Sequence, residues 1–349
     1  MAVRGYHSYH GRRRAGRVAL VVLLVLVLLA AAAFLILQDR IIYQSDGSIT
    51  IDLPFFRGDG QTASDPEGGG GENLPVEILP EEDGQGTDGQ SEAEPLRAGV
   101  ISVEELCAGG AGSLEQAGCN AFLTEVKGFN GTYYYISQQA SRQALADGAV
   151  TQSALTEAVE GTDGLWAIAR VGCFHDSFHA FADMTGAGIC QSGGYIWYDN
   201  LSSHWMDPAK DGTRAYMAAV LDECADMGFD EVVLTDFGYP TLGNLQNIDY
   251  SGLTVTKTEA LCGFLEEMRR QAGDRLVISL ELSESQVLRG TDQVSGLDLE
   301  AFLPLVDRLY ISDVTQEQQV RAAVEAAGGQ DADLVLSMAG GEENPVFVQ

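Results

Sequence analysis

Positive charge is scarce in this chain of 349 residues. Twenty Lys and Arg stand against 51 Asp and Glu, a formal net charge of -31. Five of the bases (Arg4, Arg12, Arg13, Arg14 and Arg17) fall in the first 17 residues, so the remainder is more acidic still. Such a balance excludes nucleic acid as a partner, because phosphate binding needs clustered Lys and Arg. It also argues against adhesion to anionic lipid or anionic wall polymers. No C-x-x-C pair occurs among the six cysteines, Cys107, Cys119, Cys173, Cys190, Cys224 and Cys262. Zinc-knuckle and thioredoxin chemistry therefore has little support. Their apolar neighbours (Gly172-Cys173-Phe174, Ala260-Leu261-Cys262) fit small buried hydrophobes. Mostly free thiols are expected, with one or two bridges left open. Phosphate-binding glycine loops are missing too, so nucleotide folds have no motif behind them. No cofactor is implied.

One stretch lacks charge altogether. Residues 18–37, VALVVLLVLVLLAAAAFLIL, form a run of twenty apolar residues. At ~1.5 Å per residue a helix of that length matches the hydrocarbon core of a bilayer, and it satisfies its own backbone hydrogen bonds. Basic residues before it and acids after it place the N-terminus in the cytoplasm and the rest outside. The expectation is a single-pass membrane protein with an extracytoplasmic C-terminal domain. A cleaved signal peptide is the rival, since Ala31 to Ala33 offers a small-residue cleavage site.

Residues 38–96 are rich in Gly, Asp, Glu and Pro and read as a disordered, self-repelling stalk. One island, residues 49–56 (ITIDLPFF), alternates like a strand. From residue 97 onward short apolar runs alternate with helical spacing. Strands are expected at 99–103, 121–127, 165–171, 231–236, 275–281, 308–312 and 333–337, with a weaker eighth at 345–349. Helices are expected at 213–227 and 258–272, and more weakly at 299–306 and 316–327. Gly228 and Gly273 stand where helix C-caps belong. Alternation of this kind implies parallel strands with crossovers. Eight strands in about 250 residues is the size of a (β/α)8 TIM-like barrel. A doubly wound open sheet is the runner-up. The organisation is thus a basic tail (1–17), a transmembrane helix (18–37), a stalk (38–96) and a barrel domain (97–349).

Several segments resemble a family of glycoside-hydrolase-like domains, the DUF4015 type. Residues 119–137, CNAFLTEVKGFNGTYYYIS, are similar to its second-strand region. LWAIARVGCFHD (165–176), HWMDP (204–208) and ADMGFDEVVLTDFGYP (225–240) resemble its later blocks, and VDRLYIS (306–312) does so loosely. The resemblance implies a TIM barrel acting on carbohydrate, here a cell-envelope or extracellular glycan. Departures stand beside it. Glu125 replaces the family's strand-end Asp, Gly128 replaces an Asp after its Lys, and the Arg of its D-Y-V-R-F-P block is absent from Asp236 to Pro240.

Functional side chains of such barrels project from the C-terminal strand ends. Glycoside hydrolysis needs two carboxyls across the scissile bond. Asp236 with Glu281, or Asp236 with Glu125, is the expected pair. Lys127 and Arg170 would orient or tune them, with Asp313 at the next strand end. Aromatic rings suit the CH faces of sugars, and Trp197, Trp205 and Tyr239, together with Tyr133 to Tyr135, are candidates for that role. The alternative is a degenerate barrel that binds glycan without cleaving it. A weaker alternative is a metal-dependent hydrolase, since His175-Asp176-Ser177-Phe178-His179 imitates a zinc helix and His204 would supply a third ligand. Asn130-Gly131-Thr132 and Asn200-Leu201-Ser202 match glycosylation sequons by pattern alone.

Overall fold

The computed structural model describes residues 41–43, 49–51, 94–162, 164–339 and 346–349. The chain divides into two compact units, Met1–Thr87 and Asp88–Gln349. In the first, strands Ile41–Tyr43 and Ile49–Ile51 pair antiparallel, with Ile42 opposite Thr50. The alternating island at 49–56 therefore begins as one arm of a hairpin. The apolar stretch 18–37 lies outside the described residues, as does most of the expected stalk. Among the described residues no helix is long and apolar enough to cross a membrane.

The second unit is a closed eight-stranded barrel. Its strands are β1 (Arg97–Val100), β2 (Ala121–Lys127), β3 (Trp166–Gly172), β4 (Glu231–Thr235), β5 (Val277–Ser283), β6 (Arg308–Val314), β7 (Asp333–Met338) and β8 (Val346–Val348). They pair in chain order, and β8 returns to β1. Closure rules out the open sheet. The barrel also departs from a strict (β/α)8 pattern. Strands β1 to β7 are mutually parallel, but β8 is antiparallel to both β7 and β1. Only seven residues, 339–345, separate β7 from β8. A parallel crossover needs a dozen or more, so the last strand can only return antiparallel.

Two apolar clusters show the closure. Ala98, Leu123, Ile168, Val233, Tyr310, Val335 and Phe347 pack inside the ring, and a larger cluster lies between the ring and its helices. At the floor of the ring the fully buried Glu231 accepts from Trp166 Nε1 (2.8 Å), Ser279 Oγ (2.6 Å) and Arg308 Nη1 (2.5 Å). Its charge is thus compensated by a cation and two further donors.

The helices form where the 3.6-residue spacing demands. Short helices α1 (Val103–Cys107), α2 (Ala111–Gln116), α3 (Gln152–Glu160) and α4 (Ser177–Ala182) precede the two long ones. Helix α5 (Asp211–Asp226) buries Thr213, Tyr216, Met217, Val220, Leu221 and Cys224, one continuous stripe. It stops at Gly228, whose φ of 87° is left-handed. Helix α6 (Lys257–Ala272) opens with a capping box in which Thr256 and Glu259 satisfy each other's backbone N–H. Beyond β2, strands Tyr133–Ile136 and Leu145–Thr151 extend the sheet outside the ring.

Candidate active site

The side chains on the inner face of the ring continue upward into its open end. Glu125 and Arg170 are register partners on β2 and β3, and Glu281 stands on β5. Arg170 reaches past β4 and donates through Nη2 to Glu281 Oε1 at 2.5 Å. The Glu281 side chain is only 6% exposed, and its other oxygen, Oε2, is buried without a hydrogen bond. Burial drives its pKa above the usual carboxylate range. Arg170 pulls the other way and does not win, while the Glu125 charge adds to the rise. The mouth therefore holds one carboxyl biased toward its protonated form.

Asp236 lies in a different setting. It follows β4 directly, its side chain is exposed, and its φ of 49° is left-handed, a conformation that a non-glycine residue adopts at a cost. Gly172 opposite makes room for it. A side chain there would stand 3.3 Å from Asp236 Oδ2 and 3.1 Å from the Gly128 carbonyl. Asp313 is also exposed and left-handed (φ 55°), at an irregularity in the pairing of β6 with β7. Backbone strain of this kind collects at functional sites.

A wall of rings borders these groups. His175, just beyond β3, stacks on Trp205 with centroids 4.3 Å apart and planes 9° off parallel. Phe129 meets the same ring edge-on at 4.5 Å. Trp205 Nε1 donates to Asp199 Oδ2 at 3.0 Å. Burial raises the Asp199 pKa, but that donor and the backbone N–H groups of Ser203 and Leu201 hold it below the usual carboxylate value. Tyr134, half-buried, lies beside Glu125; burial and that carboxylate raise its phenol pKa.

Five expected site residues stand elsewhere. Residues two apart on a strand share a face, which would set Lys127 beside Glu125. A β-bulge between them breaks that rule and brings Lys127 level with Val171, in the layer behind the mouth. There it is fully buried. Its Nζ pairs with Asp176 Oδ2 at 3.0 Å and donates to the Gly172 carbonyl at 2.6 Å. In that position it is shut off from the mouth and braces the end of β3 through the Gly172 carbonyl. Trp197 is 2% exposed and donates to the Asn244 carbonyl at 3.1 Å. Tyr239 is equally buried and donates to Asp207 Oδ1 at 2.9 Å, tying the D-F-G-Y-P block to the W-M-D-P block. Tyr133 and Tyr135 are core residues, bonded to Tyr216 and Glu223.

The zinc arrangement is not formed. Asp176 caps α4, accepting from the His179 N–H at 2.9 Å. His179 stacks on Tyr216, and His204 Nδ1 lies 2.8 Å from the Trp197 carbonyl, so the three histidines face different partners. Among the described residues no His, Cys, Asp and Glu group is placed to hold a metal ion. All six cysteines are unpaired thiols.

Asp199 and Phe129 were not foreseen as mouth residues, whereas Tyr134 is the one of the three expected tyrosines that lies there. The W-x-[ND]-P block signalled Trp205, and through it the loop that carries Asp199. Nothing local marks Phe129.

Comparison with known proteins follows this geometry. A hypothetical protein from Ruminiclostridium thermocellum aligns at 19% identity over 52% of this chain and 95% of its own, with a TM-score of 0.44. The exo-β-N-acetylglucosaminidase of family GH20 from Vibrio harveyi aligns at 14% identity over 69% of this chain and 41% of its own (TM-score 0.46). The glycoside hydrolase domain of PelA from Pseudomonas aeruginosa aligns at 14% identity over 69% and 82% (TM-score 0.39). No curated protein sequence matches. The family described as "Putative glycosyl hydrolase domain" (DUF4015) matches residues 110–307. That range covers more than half of the chain and contains every mouth residue above except Asp313, and the chain belongs to this family.

Proposed function

We propose that the barrel is a glycoside hydrolase acting on an envelope or extracellular glycan, with Glu281 as general acid and Asp236 as nucleophile or base. The single observation behind this reading is the divergence of the two carboxyls. Glu281 is buried and biased toward its protonated form, while Asp236 is exposed at the neighbouring strand end. One carboxyl biased toward its protonated form, with a second, exposed carboxyl on the neighbouring strand end, suits acid–base cleavage of a glycosidic bond. Glu125 is the second candidate partner for Asp236. Trp205 and Phe129 offer flat faces to a sugar ring. Because the Glu281 pKa is raised, activity should be lost as pH rises through a value above that of an ordinary carboxylate.

The test is release of reducing ends from a panel of neutral, amino and acidic polysaccharides. Wild type should release sugar from at least one. Asp236→Asn and Glu281→Gln should each lose a hundredfold or more, the scale of general acid–base catalysis. Equal activity of Asp236→Asn and wild type removes Asp236 from the chemistry.

One observation favours a second reading, glycan binding without cleavage. Glu281 is already engaged by Arg170, and the family's acid at Gly128 and its Arg after Asp236 are missing. That reading predicts retained glycan by wild type with no new reducing ends.

We propose further that residues 18–37 anchor the chain and leave the barrel outside the membrane. The apolar run and the basic flank support this. Protease added to intact cells should remove the barrel domain, and the mature chain should retain its first residues. A mature N-terminus near Phe34 means cleavage instead.

A further inference from the structure

Each cation near the mouth is already matched to one carboxyl. Lys127 is closed in with Asp176, and Arg170 is bonded to Glu281. Three carboxyls at the same strand ends are left over: Glu125, half-buried, and Asp236 and Asp313, both exposed. Among the described residues no Lys, Arg or His forms an ion pair with any of the three.

Glu125 has a built seat. Gly128 has φ -108° and ψ -157°, an extended backbone that any residue adopts, so conformation does not call for glycine there. Space does. A Cβ at position 128 would stand 2.5 Å from Glu125 Oε2 and 2.7 Å from its Cδ, and 3.1 Å from the Tyr134 ring. The Glu125 carboxylate is thus folded back against the Gly128 backbone. The carbonyl of that same residue packs on Gly172, and Gly172 in turn faces Asp236 Oδ2. Two neighbouring glycines therefore separate the Glu125 carboxylate, from β2, and the Asp236 carboxylate, beyond β4. Arg170, the register partner of Glu125, leads on to Glu281, whose nine-tenths buried side chain has an oxygen without a partner.

Like charges gathered in a partly buried cleft repel one another until a cation joins them. A neutral sugar leaves that repulsion in place, and an anionic one adds to it. An ammonium group relieves it, and its three N–H donors suit carboxylate acceptors. We infer that the mouth selects a cationic glycan, a chain of hexosamine units with free amino groups, and that Glu125 receives the ammonium. The inference rests on the proposed reading of the mouth as a glycan site. Cleavage engages Glu281 and Asp236, which leaves Glu125 free to recognise the substrate.

The test is calorimetric binding to the full chain in detergent at pH 6, where sugar amines are charged. The probes are glucosamine, N-acetylglucosamine and galacturonic acid oligomers of matched length. Wild type should bind the glucosamine oligomer at least about tenfold more tightly than the N-acetylated one and should not bind the uronate. Glu125→Gln keeps the shape and removes the charge, and should weaken glucosamine-oligomer binding about tenfold or more, the scale of a hydrogen bond to a charged group. Gly128→Ala displaces the carboxylate without removing it and should weaken binding in the same direction. Glu115→Gln, exposed on α2 ahead of the start of β2 and so at the opposite end of the ring, should change nothing. Equal binding of the amino and N-acetylated oligomers, preference for the uronate, or no binding of the glucosamine oligomer overturns the inference. So does a Glu125→Gln variant that binds like wild type or like Glu115→Gln, since a polycation is then held by surface charge alone. Turnover is read separately. A glucosamine oligomer bound through Glu125 but left uncut keeps the amine selectivity and removes the hydrolase reading, whereas cleavage of only an N-acetylated or acidic chain does the reverse.

Discussion

Replacing Lys127 with Met tests the frame behind the mouth. Its side chain is 0% exposed and that of Asp176 is 1% exposed, so the pair is shielded from water. In the variant, Asp176 keeps the Tyr216 hydroxyl (2.8 Å) and the His179 N–H (2.9 Å) but loses its cation. Breaking a buried pair by removing one partner costs about 3–5 kcal/mol. In a domain of this size each kcal/mol moves Tm by about 2–4 °C, so the fall should be roughly 10 °C. The pH dependence gives the sign. Burial tends to raise the Asp176 pKa, but Lys127 and the donors hold it below the usual carboxylate value. In wild type the pair therefore stabilises above the unfolded carboxylate range, and that stability is lost as pH falls through the depressed folded value. In Lys127→Met burial is opposed only by the Tyr216 and His179 donors, and the pKa rises. The deficit should then be large at pH 8 and shrink toward pH 5, where Asp176 takes up a proton. Urea unfolding followed by far-UV circular dichroism at both pH values measures it. A loss under about 1 kcal/mol, typical of an exposed pair, or an equal loss at both pH values would refute the argument.

Glu281→Gln should stabilise the fold at pH 8 relative to pH 4 while removing turnover. The folded pKa of Glu281 is raised, so its contribution is present at low pH and lost as pH rises through that value; calorimetry at the two pH values checks the sign. Gly131→Ala should destabilise by about 2 kcal/mol or more in urea unfolding, since φ is 79° and the added carbon would press into the Asp176 carboxylate. A thiol reagent should count six free cysteines in the denatured, unreduced chain, and a count of four would mean a bridge. In the native protein Cys173 and Cys224 should react slowest, because burial pushes both thiols above the usual range.

Strand β2, at Ala121–Lys127, and the helix spans were legible in the sequence because burial on one or both faces writes itself as a period. The parallel core followed from alternation alone. What escaped depends on single residues or on distant ones. The extra residue Val126 turns Lys127 to the other face, and no period of two reveals a bulge. Its partner Asp176 lies 49 positions away. Tyr133-Tyr134-Tyr135 looked like an aromatic surface, yet a strand alternates, so Tyr133 and Tyr135 went inward and only Tyr134 stayed near the mouth. Trp197 and Trp205 share a loop and a residue type; which one is covered depends on Asn244 and Asp199, settled by loop packing. Glu281 and Asp236 were readable as strand-end acids, but the Arg170 bridge and its effect on Glu281 came only from register.

The antiparallel β8 also governs how this chain reaches its fold. Leu96 donates its N–H to the Gln349 side chain across 253 positions of sequence. Joining ends so far apart costs on the order of 5 kcal/mol in chain entropy before any contact rewards it. Strands β1 to β7 are linked by local crossovers and can assemble as the chain emerges. Until residues 346–348 arrive, the free sides of β1 and β7 expose unpaired N–H and C=O groups, which invite pairing with other chains. The short strand β8 acts as a latch: on a ribosome the sheet waits open until residues 346–348 have emerged, and the hazard of edge-to-edge aggregation falls in that interval.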